Sequence, residues 1–430
     1  MRDVALFAIL VGLCALALSR PWFGVVGLAL LGAMHPQSYG GEWMSRFPVY
    51  KVLFVVTCVA VVVDCWRTRQ WPRLFWDWRL AVLGLLFADY VLTTHFALLP
   101  DTARGRLIEV SMLVPPLLLT LWLTDSREKL HYLIVATAAG IALVALKGGY
   151  WAVMTGFADR VYGPPNSQIG GNNEFAVALA MTIPLLVLWL RQTSDRPLRW
   201  AISGAIVLCY VAALTSWSRG GLVTLAAMSA FLVWHSRRKY LAVLLVAAGV
   251  AVALVNLPET WRTRMETLSS YQEDQSFQGR QDAWRQGLAY LQGDPWTGSG
   301  FEGWRAITAR FSGRGDPSTR DWHSAYVEAL VEHGIPGFLL WGTLLGGTMI
   351  GLSRMIGRGR RVLDPWLVDY GAMLRAALVA YAAGGLTLGI TYWELMFQIL
   401  GYSWIALRLS TFATESAGRL SRAPATTSDK

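Results

Sequence analysis

Hydrophobic residues in this chain come in long uncharged runs separated by short polar loops, and the runs recur almost from end to end. They cover residues 4–19, 21–34, 52–64, 80–98, 107–124, 130–154, 175–190, 200–215, 220–234, 240–256, 335–352, 366–390 and 393–407. A helix of about 20 apolar residues crosses the roughly 30 Å hydrocarbon core of a bilayer, so the pattern predicts an all-α integral membrane protein. The first two runs are short and divided by Arg20-Pro21, and counting them as one broken span or a re-entrant pair gives about 12 transmembrane helices. A cleavable leader is not expected, because the first run lacks both a basic start and a small-residue cleavage site before more hydrophobic sequence.

One long polar stretch interrupts the pattern late, between residues 257 and 324. It divides the chain into an N-terminal transmembrane bundle (1–256), a loop domain between late spans (257–334), C-terminal transmembrane helices (335–410) and a tail (411–430). Within the loop, the segment from Ser276 reads as a helix to about Gln292, with Ser276 as N-cap and Gly293 as the C′ residue before Asp294-Pro295. The insert is therefore expected to be mostly helical.

Composition agrees with the membrane reading, since 54% of residues are hydrophobic and only 15% charged. Charge then fixes an orientation. Arginines and lysines gather in alternate short loops, at Arg67 to Arg79, Arg127 with Lys129, Arg191 to Arg199, Arg237-Arg238-Lys239, and Arg354 to Arg361. By the positive-inside rule these loops and the tail are cytoplasmic. The loops around Arg104, Arg160 and Arg219 and the whole insert then face the periplasm. The formal charge of +10 is explained by anchoring to membrane lipids, and nucleic acid is not an expected partner.

Several chemistries lack their usual marks. The four cysteines, Cys14, Cys58, Cys65 and Cys209, lie in or at the ends of hydrophobic runs and read as core residues. The insert has no cysteine or paired-histidine spacing for a metal, and the chain has neither a Walker A loop nor an Asp-x-Asp pair. No metal and no cofactor are expected. A transporter would place its key charges within the spans, where only a few occur, among them Asp89, Glu109, Lys147 and Glu394.

The insert itself carries eight arginines and no lysine, which suggests a need for the planar guanidinium fork that grips phosphate oxygens two at a time. Arg280 sits in the first turn of the expected helix, where free backbone N–H groups also favour an anion; the alternative is a surface pair with Asp282 or Glu273. Arg219, in the tight turn Ser216-Trp217-Ser218-Arg219-Gly220-Gly221, either reaches lipid headgroups or faces a polar cavity. Arg160 lies in another outer loop and on its own reads as a solvated charge. His323 follows Asp321-Trp322 and heads a short helical pattern, where the helix dipole favours a neutral, proton-accepting ring; a capping or interfacial role is the alternative. His333, before Gly334, reads as a helix-end histidine meeting free carbonyls.

The outer-loop Arg160, the Ser218-Arg219-Gly220-Gly221 turn, Gly279-Arg280 with Trp284, Asp294-Pro295-Trp296-Thr297-Gly298-Ser299-Gly300-Phe301, and His323-Ser324 with Tyr326, Leu330, Gly334 and Gly337 occur in an order that resembles the O-antigen ligase and polymerase superfamily of membrane glycosyltransferases. The ligase branch is the nearer resemblance. It implies a multi-pass enzyme of the bacterial inner membrane that works at the periplasmic face. The enzyme would take a glycan from an undecaprenyl-diphosphate-linked donor and transfer it to a lipid A-core acceptor in lipopolysaccharide biosynthesis, inverting the anomeric carbon without a metal. By the same resemblance His323 is the base for the acceptor hydroxyl, Arg219 and Arg280 hold the donor diphosphate, and Arg160 contributes to that site. An O-antigen polymerase or a protein O-oligosaccharyltransferase would share donor and arginines but use another acceptor. A transporter or lipid-carrier export protein is the alternative outside enzymes.

Overall fold

A computed structural model describes residues 2–71, 76–236, 275–312 and 321–420. The run at 240–256, the Arg237-Arg238-Lys239 cluster, Trp261 and the first part of the insert lie outside them. Among the described residues every regular element is helical. The order is α1 (Arg2–Ser19), α2 (Pro21–Met34), a 3₁₀ turn (Pro36–Tyr39), α3 (Glu42–Arg46), α4 (Val49–Thr68), α5 (Trp78–His95), α6 (Pro100–Ser111), α7 (Val114–Leu123), α8 (Arg127–Met154), α9 (Asn172–Gln192), α10 (Arg196–Leu214) and α11 (Arg219–Trp234). After the gap come α12 (Gln275–Gly293), α13 (Trp304–Ser312), α14 (Ala325–Val362), α15 (Pro365–Gly384) and α16 (Glu394–Leu420).

Seven of the described helices are long and apolar enough to cross a membrane, counting α6 and α7 as one, and two more, α2 and α11, are apolar but shorter. The all-α membrane architecture is as the hydrophobic runs predict. α9 is the axis of the bundle: every residue from Phe175 to Leu186 is buried, and it packs against α8, α10, α11 and α15. Its neighbours enclose it all round, which is why its apolar pattern has no polar face.

Helix starts follow capping chemistry. Asp77, Ser126, Asp195 and Asp364 accept from the first free N–H groups of α5, α8, α10 and α15, and Ser218 caps α11 through Gly221 N at 2.9 Å. The first four share one end of the bundle, where Arg127 meets Gln192, Arg191 meets Asp369, and Arg408 donates to Thr124 O. These are the basic loops of the sequence pattern, now side by side. The loops at 161–172, 215–218, 295–303, 321–324 and 385–393 meet at the other end.

Three details of the sequence reading change. Ser276 lies inside α12 and so does not cap it, and Gly293 is the last helical residue, without a left-handed φ. His323 precedes α14 by one residue more than expected: Ser324 is the cap, and His323 itself takes a left-handed φ of 47°. The apolar run at 366–390 stops being helical at Gly384, and residues 385–393 form a folded linker between α15 and α16. Apolarity alone does not distinguish a buried linker from a span.

The expected break near Gly334 is present. Gly334 has φ 62° and ψ −169°, so α14 is two helical pieces, 325–333 and 335–362, joined at a kink. Any side chain there would strike Trp296 O, which lies 2.6 Å from the position of an added Cβ. The turn at 295–300 uses that room: Ile335 N donates to Pro295 O, Ser299 N to Val331 O and Gly300 N to Glu332 O, at 2.8, 2.8 and 2.9 Å. Backbone groups freed by the kink are thus satisfied by the insert.

Candidate active site

The N-terminus of α9 is where the loops at 161–172 and 215–218 converge. Val161 N donates to Thr215 O at 3.1 Å, and Asn172 Nδ2 donates to Ser216 O at 2.8 Å. These bonds tie the Arg160 loop to the turn before Arg219. Arg160 then lays its guanidinium over the Trp217 ring, 5.3 Å from the centroid. What reads in sequence as a lone loop charge is held beside a second candidate arginine.

Arg219 is the first residue of α11. The next position, Gly220, packs under the 385–393 linker so closely that a Cβ would lie 2.3 Å from Thr387 Oγ1. The glycine lets the Thr387 side chain approach the α11 backbone closely.

Arg280 lies in the second turn of α12 as described, and its charge acts on Glu174 in the first turn of α9, as does that of Asp321 with the opposite sign. Asp282, one of the partners considered from sequence, faces Arg285 instead at 3.8 Å, and Glu273 lies outside the described residues. Glu174 itself folds back over its helix start, its Oε2 filling the place where a Cβ on Gly171 would be.

His323 stands beside Asp321, whose carboxyl feels the ring electrostatically. Burial pushes the Asp321 carboxyl up from the ordinary carboxylate range, and His323 opposes that shift. Across from it, Gly389 of the linker fits between two acids: a Cβ there would be 3.1 Å from Asp321 Oδ2 and 3.3 Å from Glu328 Oε1. Glu328 Oε2 in turn accepts from Thr391 N at 3.0 Å, and Thr391 Oγ1 donates to Ala325 O at 2.9 Å. The linker is thereby stitched to the first turn of α14, next to His323.

Beneath this layer runs a buried polar chain. Tyr392 OH donates to Glu332 Oε2 at 2.9 Å, and Glu332 Oε1 also accepts from Glu302 N and Trp322 Nε1. Burial and the Glu332 carboxylate hold the Tyr392 phenol protonated, well above its usual range. With that proton directed to Glu332, the Tyr392 oxygen accepts from His333 Nε2 at 2.6 Å, and Nδ1 accepts from Thr93 Oγ1 at 2.7 Å. His333 therefore meets two hydroxyls and not the free carbonyls expected of it, because the turn at 295–300 takes up the backbone of the kink. Arg106 completes this side, its guanidinium 5.9 Å from the Tyr392 ring centroid and paired with Glu109 at 2.8 Å.

Tryptophans of the insert divide by role. Trp322 is fully buried and packs with Ala283, Ile307 and Val331, and Trp284 Nε1 donates to Trp322 O at 2.6 Å. Trp296 is 68% exposed. Trp296 thus has the exposure of a residue at an interface, whereas Trp322 is core. Among the described residues no three His, Cys, Asp or Glu side chains come together in an arrangement that could hold a metal ion.

The site therefore has guanidinium groups, a histidine next to a carboxylate, and a rigid support of buried hydrogen bonds, gathered at one end of a membrane bundle. Residues 204–342, which contain Arg219, Arg280 and His323, match the family model of the O-antigen ligases. Over that segment the chain is similar to the O-antigen ligases. A second model, for a family of unknown function (DUF5935), matches residues 1–195. A search of curated proteins found no match. The O-antigen ligase segment does not hold the whole arrangement: Arg160, Glu174, Arg106 and Thr93 come from the segment of unknown function, and Thr391 and Tyr392 lie beyond both. Glu174, Arg106, Thr391 and Tyr392 carry no signal in the sequence, since each sits within or beside an apolar run.

Proposed function

We propose that the chain is an O-antigen ligase, transferring a glycan from undecaprenyl diphosphate to lipid A-core at the periplasmic face of the bacterial inner membrane. The observation that carries this reading is the convergence of Arg160, Arg219, Arg280 and the Asp321–His323 pair on the α9 N-terminus and the 385–393 linker.

The chemistry assigned to these groups is a single displacement. The acceptor hydroxyl oxygen bonds to the anomeric carbon as the bond from that carbon to the lipid diphosphate breaks, with inversion. Negative charge collects on the departing phosphate oxygens, and Arg219 and Arg280, with Arg160 beside them, stabilise it by charge and by paired hydrogen bonds. His323 takes the acceptor proton, and Asp321 stabilises the imidazolium so formed. Metal ions have no part in this scheme.

Two experiments test it. Purified protein in nanodiscs, given a polyprenyl-diphosphate glycan with lipid A-core, a pilin, or no added acceptor, should form product with lipid A-core alone; product with pilin or by glycan extension would make it a protein glycosylase or a polymerase. For the facing of the site, a membrane-impermeant thiol reagent on intact cells should label a cysteine placed at Gln281 and not one at Ser236. The reverse pattern would overturn the periplasmic assignment.

A further inference from the structure

Four arginines surround a cavity of about 380 Å³ at the end of the bundle away from the candidate active site. They are Arg79 at the start of α5, Arg354 and Arg358 one turn apart on α14, and Arg408 on α16. At 1.5 Å per residue, Arg79 lies about 21 Å along α5 from Thr93, and Arg354 about 29 Å along α14 from Ile335. The cavity is thus separated from the site by most of a bilayer.

Among the described lining residues Asp77 is the only carboxylate, and it is already engaged: Oδ2 takes Arg79 Nη1 at 2.7 Å and Oδ1 takes Arg79 N at 2.9 Å. Arg408 donates to the carbonyls of Leu121 and Thr124. No hydrogen bond or ion pair joins Arg354 or Arg358 to another described residue, and they stand four apart on one helix face, where like charges repel. Arg79 is 8% exposed and its Nε has no partner. Gly351 makes room for it, since a Cβ there would lie 2.8 Å from Arg79 Nη2.

A buried guanidinium donor without an acceptor, at Arg79 Nε, and two arginines one turn apart, Arg354 and Arg358, with no counter-charge among the described residues are both unfavourable until an anion enters. Phosphate suits the forked geometry of several guanidinium groups better than a single carboxylate does. Basic hollows between transmembrane helices take phospholipid headgroups in this way, and Trp76 on the rim, 83% exposed, is a residue type found at the headgroup level. We propose that this cavity is a binding site for a phosphate-bearing anion, supplied by an anionic phospholipid headgroup or by free phosphate or diphosphate.

The test titrates the full-length protein in neutral detergent with phosphatidylglycerol, phosphatidylcholine, inorganic phosphate and inorganic diphosphate, reading bound molecules by native mass spectrometry and thermal stability in parallel. Saturable binding of phosphatidylglycerol over phosphatidylcholine is expected, weakened about fivefold by Arg354→Gln or by Arg358→Gln and abolished by the double variant. Binding of the inorganic ions with the same variant dependence, and none of phosphatidylglycerol, would support the site and name free phosphate as its source. Because neither arginine has a partner among the described residues, the anion-free variants should unfold at or slightly above the wild-type temperature. Equal binding by wild type and double variant, no preference over phosphatidylcholine by any of the anions, or a large loss of stability in the anion-free single variants would overturn the proposal.

Discussion

The polar insert and the 385–393 linker contribute to the same site, yet they differ in almost every visible respect. The insert is long and arginine-rich, and it breaks the hydrophobic pattern. The linker is short and apolar, with Leu386, Leu388 and Ile390 among its residues, and it continues the pattern of the spans on either side. On the proposed mechanism the insert supplies the reactive groups, Arg280 and His323; the linker packs beside them through Thr387, Gly389, Thr391 and Tyr392. Groups that act on a charged substrate must be polar and reachable by it. Groups that fix them can be backbone atoms and buried hydroxyls, which leave little trace in hydropathy.

If that division is right, changes in the insert lower turnover while the fold survives, and changes in the linker network lower stability first. The largest effect is expected for His323→Ala. Loss of a general base should lower turnover by about 10²- to 10⁴-fold and leave binding of the lipid-diphosphate donor nearly intact, as read by single-turnover kinetics beside a donor-binding assay. Activity that persists would return the search for a base to Glu302, Asp321 and Glu328.

Arg219→Lys and Arg280→Lys come next. Each keeps the charge and loses the fork, so transfer should fall by roughly 10- to 100-fold, the scale of a lost charge-assisted hydrogen bond, with donor affinity weakened and thermal unfolding unchanged. Near-normal activity and affinity in both variants would remove the diphosphate role from these positions.

On the linker side the order of effects should reverse. Tyr392→Phe removes the hydroxyl shared by Glu332 and His333 and leaves both with an unmet partner in the interior. A loss of about 1–3 kcal/mol in stability is expected, visible as a lower unfolding temperature, with activity falling only as the folded fraction falls. His333→Ala should behave alike, since His333 also holds Thr93 across the bundle. A large drop in turnover with normal stability in either variant would place the buried chain in the chemistry and erase the distinction.

The smallest effect concerns pH. Burial raises the Asp321 carboxyl above its ordinary 3.8, so between that value and the folded-state one the folded protein holds a proton that the unfolded chain has released. Stability from this group therefore falls as pH rises through that window and stays low above it. Asp321→Asn should remove the slope: relative to wild type, its unfolding temperature should gain as pH is raised from about 4 through the weakly acidic range. A gap that stays constant with pH would mean that Asp321 does not titrate with folding.

Much of this architecture was legible because membrane helices announce themselves by composition. The runs at 130–154 and 175–190 correspond to α8 and α9 within a few residues, and Gly334 before Pro336 marked the kink, since a break needs residues of that kind. Arg219, Arg280 and His323 stood out as candidates by residue type and position, and the structure brings the segments around them together. The run at 366–390 misled because a packed linker rich in Leu, Ile and Gly has the hydropathy of a span. Glu174 was hidden because a lone acid at a helix start looks like ordinary capping, and only the fold shows Arg280 acting on it. His333 was read from its place beside the kink, whereas its partners, Thr93 and Tyr392, are 240 residues upstream and 59 downstream, a distance no local pattern spans.

The kink at Gly334 has a consequence for assembly order. Synthesis proceeds from the N-terminus, so the turn at 295–300 is made before the backbone groups at 331–335 that it will bond. Until that later stretch emerges, Pro295 O, Ser299 N and Gly300 N can be satisfied only by water. A nascent chain arrested just past Gly300 should then leave the two amides open to solvent hydrogen exchange, and one extended beyond Ile335 should close them, which makes the maturation of the insert a timer for the arrival of α14.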